Sequence, residues 1–334
     1  MAKIHFLNVD EGDCSIIQHD NGHVTMIDIC CGNIEKQQKT AEQIIKEAAE
    51  GLRGNFNQKA HPTNPVDYLK NLNINQIFRY IQTHPDMDHM DGLNNLFNNF
   101  SILNFWDTEN SKTQDFDENG KSGRYLKIDW DCYQSVRKRT DNPKTLFYYD
   151  GDVRKYFAYN DSGTLQDDYL KILAPTHKLL KDAEKVKNWN DSSYVILYYI
   201  HNRRILFCGD ADEKTIAHLM QNHKSEISNI DILIAPHHGR DSDKDFSFLD
   251  IMKPKLTLFG NAKSKYLAYD EWNNRDLIHI QNNQAGNILI NILGDGKCQV
   301  SCIHQTFANE FNKIHYHNET APIDKDNKGY WRLI

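Results

Sequence analysis

No apolar run in these 334 residues approaches the roughly 20 needed to cross a bilayer, and Met1-Ala2-Lys3-Ile4-His5-Phe6-Leu7 opens into strand-like sequence without a signal-peptide pattern. Zinc-finger cysteine spacing is missing too. The seven cysteines (Cys14, Cys30, Cys31, Cys132, Cys208, Cys298, Cys302) are odd in number, and several sit inside apolar strands. They read as reduced, mostly buried thiols of a cytoplasmic protein. There is no excess of positive charge: 39 Lys and Arg against 46 Asp and Glu give a net charge of -7, so no general electrostatic footprint for nucleic acid is expected. Bound divalent cations would reverse that field locally. Internal repeats and low-complexity linkers are absent as well. What remains is 39% hydrophobic and 25% charged residues, an ordinary soluble composition with enough apolar content for a large core.

Against this background one stretch stands out, Thr83-His84-Pro85-Asp86-Met87-Asp88-His89-Met90-Asp91-Gly92. The β-branched and aromatic run Ile77 to Gln82 before it reads as a buried strand. After it, Leu93, Leu96, Phe97 and Phe100 recur at helical spacing. Ligands on such a strand-to-helix loop can converge on a point and still be held rigidly. Imidazole nitrogen and carboxylate oxygen together suit borderline and hard divalent metals. Residues two apart in an extended segment point the same way, so His84 and Asp86 can share one ion, and Asp88 and His89 can reach a second. The bland alternative is a polar loop whose histidines lie near each other by chance.

The rest of the chain repeats the arrangement. Strands are expected at Ile4 to Val9, Cys14 to Gln18, His23 to Ile29, Ser193 to Ile200, Arg204 to Cys208, Ile230 to Ala235, Leu256 to Gly260, Ile288 to Leu293 and Gln299 to Ile303, with helices at Thr40 to Leu52 and Glu213 to Asn222. Asp28, the 84–89 loop, Asp210 and the pair His237-His238 each follow an apolar strand at once. In layered α/β folds, ligand sites gather at the sheet edge where strands hand over to loops. Any one instance reads as a turn; four of ligand type do not. Residues 107 to about 165 are polar and weakly periodic, and read as an insertion over the site within a domain spanning 1–305. The tail 306–334 is polar. Within the insertion, Tyr133 to Arg139 is basic and aromatic; a solvated helix face is the preferred reading there, a phosphate-contacting surface the other.

Taken together, Phe6 to Asp13, Met26-Ile27-Asp28, His84-x-Asp86-x-Asp88-His89 with Gly92, Asn190 and Ser193 before a long strand, Leu206 to Asp210, and Pro236-His237-His238-Gly239 resemble the metallo-β-lactamase superfamily, in its ComEC-type branch. The resemblance implies an α/β fold, an αββα sandwich of two mixed sheets flanked by helices. It implies two divalent metal ions, zinc or manganese. His84 and Asp86 would hold the first ion, Asp88 and His89 the second, and Asp210 would bridge them. His237 is favoured to complete the second site, with His238 as proton donor. Asp28 would tie the His84 loop to the sheet, and the first site would be completed by water, by Asn190 or by the substrate phosphate. Two departures stand out. Asp86 takes a place that is often histidine. And His177, the histidine between the loop and Asp210, reads as a surface residue, which leaves the first ion short of a ligand.

Two divalent ions about 3.5–4 Å apart acidify a bridging water and stabilise attacking and leaving oxygens, with Asp88 placed to orient the hydroxide. A phosphodiester fits best, and by the resemblance the leading function is a phosphodiesterase acting as a nuclease, on DNA or RNA. The rivals are a cyclic-nucleotide or phosphocholine phosphodiesterase, a lactonase, or a metal-binding scaffold without turnover. No membrane partner is expected, and a homo-oligomer is compatible with the sequence.

Overall fold

The computed structural model describes residues 1–33, 56–242, 245–262, 266–302, 305–315 and 329–333. The helix expected at 40–52 lies outside them. The chain first lays down β1 (Ala2–Phe6), β2 (Ser15–Gln18), β3 (Val24–Ile27), β4 (Gln76–Ile81) and β5 (Ser101–Asp107). A small hairpin of β6 (Lys121–Ser122) and β7 (Tyr125–Leu126) follows, and then β8 (Lys144–Phe147). A second sheet is built from β9 (Asp168–Ala174), β10 (Val195–Ile200), β11 (Arg203–Phe207), β12 (Ile232–Ile234), β13 (Leu256–Phe259) and β14 (His279–Gln281). The chain then returns to the first sheet with β15 (Ile288–Ile292), β16 (Cys298–Cys302) and β17 (Gly329–Leu333).

The larger sheet runs β17-β16-β15-β1-β2-β3-β4-β5-β8 and the smaller β14-β13-β12-β11-β10-β9. Both are mixed: β3, β4, β5 and β8 are parallel, as are β11 to β14, while hairpins fill the rest. The two sheets pack face to face. Ile4 and Phe6 of β1, Ile172 of β9, Ile196 and Tyr198 of β10, Ile205 of β11 and Ile290 of β15 share one core. Alternate residues serve the outer layers, as the two-residue period of a strand requires. Ile16, beside Ile17, packs outward with Val66, Leu69, Leu93, Leu96 and Tyr133 from three helices. On the other side, Leu197, between Ile196 and Tyr198, packs with Leu179, Ile216, Leu219 and Trp272. The αββα sandwich of the sequence reading is therefore the architecture observed. Because both faces of β10 are covered, its sequence Val-Ile-Leu-Tyr-Tyr-Ile is continuously apolar rather than alternating. Trp106 is buried in the inter-sheet core, its ring centroid 4.8–4.9 Å from those of Tyr148 and Phe157; truncating it to alanine is expected to cost about 3–5 kcal/mol.

Residues 107–165 contribute more regular structure than their composition suggested. The helix Lys127–Val136 packs Trp130, Tyr133 and Val136 into the outer layer, and β8 extends the sheet edge. The basic stretch from 133 is neither phosphate-facing nor wholly solvated. Tyr133 is buried and donates to Asp107 Oδ1 at 2.7 Å, and Arg137 Nε pairs with Asp107 Oδ2 at 3.0 Å. Beyond residue 305 come the helix Gln305–His315 and β17, which pairs antiparallel with β16. All seven cysteines are free, and every one but Cys132 is buried. Among the described residues, no helix is long and apolar enough to cross a membrane.

Candidate metal centre

Strands β3 and β4 run parallel, Ile27 opposite Ile81, so their C-terminal ends emerge side by side. Asp28 follows β3 with φ of 55°, a left-handed conformation that Asp tolerates better than most residues. Its carboxylate accepts hydrogen bonds from Thr83 N (2.8 Å), Thr83 Oγ1 (2.6 Å) and His89 Nδ1 (2.7 Å). The last contact fixes the imidazole tautomer: with Nδ1 protonated toward Asp28, the lone pair of His89 Nε2 faces the other way. The side chain of Gln82 donates to the carbonyls of His84 (2.9 Å) and His89 (3.0 Å), which holds both ends of the loop at a set separation. Gly12 packs against the loop so closely that a Cβ there would run into the Asp88 carbonyl.

The second sheet supplies the rest. Asp210 follows β11, its amide donating to Ser193 Oγ at 3.2 Å, and the amide of Tyr194 donates to Thr83 O across the two sheets at 2.9 Å. Beyond the neighbouring β12, His237 and His238 both adopt left-handed conformations, φ 53° and 56°. That double turn brings both rings back toward Asp210 and lets the His237 amide reach Gly209 O at 2.9 Å. Gly260 makes room for the pair, because a Cβ there would strike Asp13 and His238.

The result is a divided set. Asp210 Oδ1 lies 3.1 Å from His89 Nε2 and 3.4 Å from His238 Nε2, and His238 Nε2 lies 3.8 Å from Asp88 Oδ2. Asp210 Oδ2 lies 3.9 Å from His84 Nε2 and 3.6 Å from His237 Nε2, with Asp86 Oδ1 3.9 Å from His84 Nε2. Ligands of one ion bound at 2.0–2.2 Å stand about 3–4 Å apart. The Nε2 atoms of His84, His89 and His238 and Oδ1 of Asp210 are buried and make no hydrogen bond among the described residues. Buried polar atoms are seldom left so, and lone pairs converging on common points fit divalent cations.

Burial lowers His89 and His238, yet Asp210, with Asp28 for the one and Asp13 for the other, raises both well above the ordinary imidazole range; a cation between these groups would take the place of the protons. Burial would raise Asp210, but His238, His89 and His237 hold it well below the ordinary carboxylate range. Burial also works to raise Asp88, yet His89 and His238 pull it down. His84, fully buried, is pushed below its ordinary value by desolvation and by His89.

The sequence reading set His237 with Asp88 and His89 and kept His238 apart; the geometry sets His238 in that group and His237 near Asp210 Oδ2. The reason is the consecutive left-handed turn at two non-glycine residues. The side chain of Asn190 makes no hydrogen bond to the centre among the described residues; Ser193, three residues on, makes that contact. His177 is exposed, its ring tilted against that of Tyr149 with centroids 3.8 Å apart, and it takes no part in these contacts around Asp210. Two residues went unassigned in the sequence. Asp13 Oδ1 lies 3.1 Å from His238 Nδ1, and its only signal was its place in the Phe6 to Asp13 stretch. Lys112 Nζ, from the 107–165 segment, lies 2.6 Å from Asp86 Oδ1, a pairing with no local sequence signal.

No family model matches the chain, and no curated protein matches it. Solved structures do. A Thermotoga maritima protein described as a zinc-dependent hydrolase of the metallo-β-lactamase superfamily aligns over 81% of this chain and 80% of its own, at 11% identity and TM-score 0.33. A diphosphatase of the PhnP family aligns over 84% and 94%, at 13% identity and TM-score 0.41. Unliganded yeast PDE1 aligns over 84% and 97%, at 11% identity and TM-score 0.45. Likeness at this level transfers no function from any of them.

Proposed function

We propose that the protein is a hydrolase using two divalent metal ions, of zinc or manganese type, with phosphodiesters as its substrates and nuclease activity as the leading form. The observation that carries this reading is Asp210, with one carboxylate oxygen turned to His89 and His238 and the other to His84 and His237. His84, Asp86 and His237 would hold one ion, and Asp88, His89 and His238 the other. In this arrangement His237 supplies the ligand that the first site otherwise lacks. Bound ions would supply Lewis acidity and an activated water at neutral pH. The side chains do the positioning. Asp28 holds His89 in the ligating tautomer, Asp13 Oδ1 stands 3.1 Å from His238 Nδ1, and Asp88, at the open edge, orients the attacking water. Lys112 offsets the charge of Asp86. We place the protein in the metallo-β-lactamase superfamily, with residues 1–305 carrying the site and the helix and β17 of the tail completing the same unit, in the cytoplasm.

The test is a panel of single- and double-stranded DNA, RNA, cyclic nucleotides and bis-p-nitrophenyl phosphate, run with manganese, zinc or chelator. Metal-dependent cleavage of a phosphodiester is expected, reduced on the order of 10³-fold in Asp88→Ala. Cleavage that survives chelation, or equal rates in the variant, would reject the reading.

A further inference from the structure

Beside the metal centre opens a cavity of about 240 Å³, lined by Glu11, Asp88, His238, Arg240, Asn261, Ala262 and Tyr266. Asp88 and His238 belong to the centre; the others have no role in it so far. The cations near the centre differ in one respect. Lys112 is paired with Asp86, Arg124 with Asp10, and Lys59 stands 3.8 Å from Glu11. Arg240 has no carboxylate within ion-pair distance among the described residues, although Glu11 and Asp88 line the same cavity. Its guanidinium lies over the Tyr266 ring, 5.1 Å from the centroid.

Its backbone is held as firmly as the ligands are. Arg240 forms a bridge with Leu267, the amide of Asp241 donates to Tyr266 O at 2.6 Å, and that of Ala268 to Gly239 O at 2.9 Å. An arginine fixed two residues from a ligand histidine, laid on an aromatic face and lacking an ion-pair partner among the described residues, is prepared for an anion from outside. The same cavity offers acceptors. Asn261 spends its amide hydrogens on Asn8 Oδ1 and Val9 O, while its Oδ1 is buried and takes no hydrogen bond among the described residues. Glu11 adds a half-exposed carboxylate.

We infer that this cavity is the subsite for a nucleotide unit next to the scissile phosphoryl group, with Arg240 binding a further phosphate on that unit. Asn261 Oδ1 and Glu11 accept hydrogen bonds from its hydroxyl or amino groups. The inference rests on the phosphodiesterase reading and narrows it. A cationic choline headgroup would meet Arg240 and find the near face of Tyr266 taken. A lactone has no charge to pair with Arg240.

The test uses the full chain loaded with manganese. AMP binding is measured by calorimetry for wild type, Arg240→Gln and Arg240→Lys, with metal content and thermal melting checked on each. Removing a charge-assisted pair is expected to weaken AMP about tenfold or more in Arg240→Gln, with Arg240→Lys recovering part of it and metal content unchanged. The preference in kcat/KM for a 5′-phosphorylated dinucleotide over bis-p-nitrophenyl phosphate should shrink by a similar factor in Arg240→Gln. Equal AMP affinity in wild type and Arg240→Gln overturns the subsite. If AMP binding depends on Arg240 but no phosphodiester is cleaved, the subsite stands as a nucleotide-binding site and the catalytic reading falls.

Discussion

The molecule holds two clusters of histidine and aspartate that look alike in composition and differ in chemistry. One is the centre around Asp210. The other joins Asp150 to the helix Glu213–Asn222, with Asp150 Oδ2 3.1 Å from His218 Nε2 and Oδ1 2.9 Å from His223 Nε2. In the first, Asp28 takes the Nδ1 proton of His89, so the nitrogen facing Asp210 carries a lone pair. In the second, the Asn222 amide donates to both the backbone carbonyl and Nδ1 of His218, so the proton resides on Nε2 and goes to Asp150. His218 is thus satisfied by hydrogen bonds, and in the second cluster only His223 keeps ring nitrogens without one among the described residues, whereas His84, His89 and His238 all keep an unbonded Nε2 in the first. Between His89 and His218 the difference lies in the partner of the far nitrogen rather than in the residue types.

The largest expected effect tests the centre itself. Asp210→Asn should cut phosphodiester cleavage by 10³-fold or more and lower bound metal from two ions to one or none, read by turnover and elemental analysis. Next is the partner of the far nitrogen. Asp28→Ala should weaken metal binding about 10–100-fold while leaving every ligand in place, read by chelator competition; unchanged affinity would remove the basis of the contrast. A third histidine environment extends it. His279 stacks against Phe259 and Tyr269, and burial, with a contribution from His315, lowers its pKa to about 4. A base depressed in the folded state keeps its stabilising contribution above the unfolded pKa near 6.5 and loses it as pH falls toward 4. His279→Gln should therefore flatten the decline in unfolding free energy between pH 7 and 4, by at most about 2–3 kcal/mol. The smallest effect belongs to the clamp: Asp150→Asn should leave metal content unchanged and cost about 1 kcal/mol of stability, read by denaturant titration.

The same contrast marks where sequence reading succeeds. His84, Asp86, Asp88, His89, Asp210 and the 237–238 pair could be singled out because each follows an apolar strand directly, and strand ends share an edge of a sandwich. The order of His237 and His238 could not be read, since it turns on two consecutive left-handed residues that no glycine announces. Lys112 on Asp86 and Asp150 on His218 join positions 26 and 68 residues apart, and neither spacing has a period. The helix Lys127–Val136 was hidden because its buried face includes Asp129, which takes the Asn94 amide at 2.8 Å where an apolar residue would have shown the pattern.

One feature of the larger sheet reaches into how the protein is made. Strand β1 lies inside that sheet between β2 and β15, with Ala2 opposite Ile292. As the chain leaves the ribosome, the edge of β1 that meets β15 must wait for nearly three hundred residues to follow. The 84–89 loop emerges early and the 237–238 turn much later. Closure of the sheet and assembly of the candidate site are therefore late events of synthesis, and a chain interrupted before β15 would present an open, apolar edge to its neighbours.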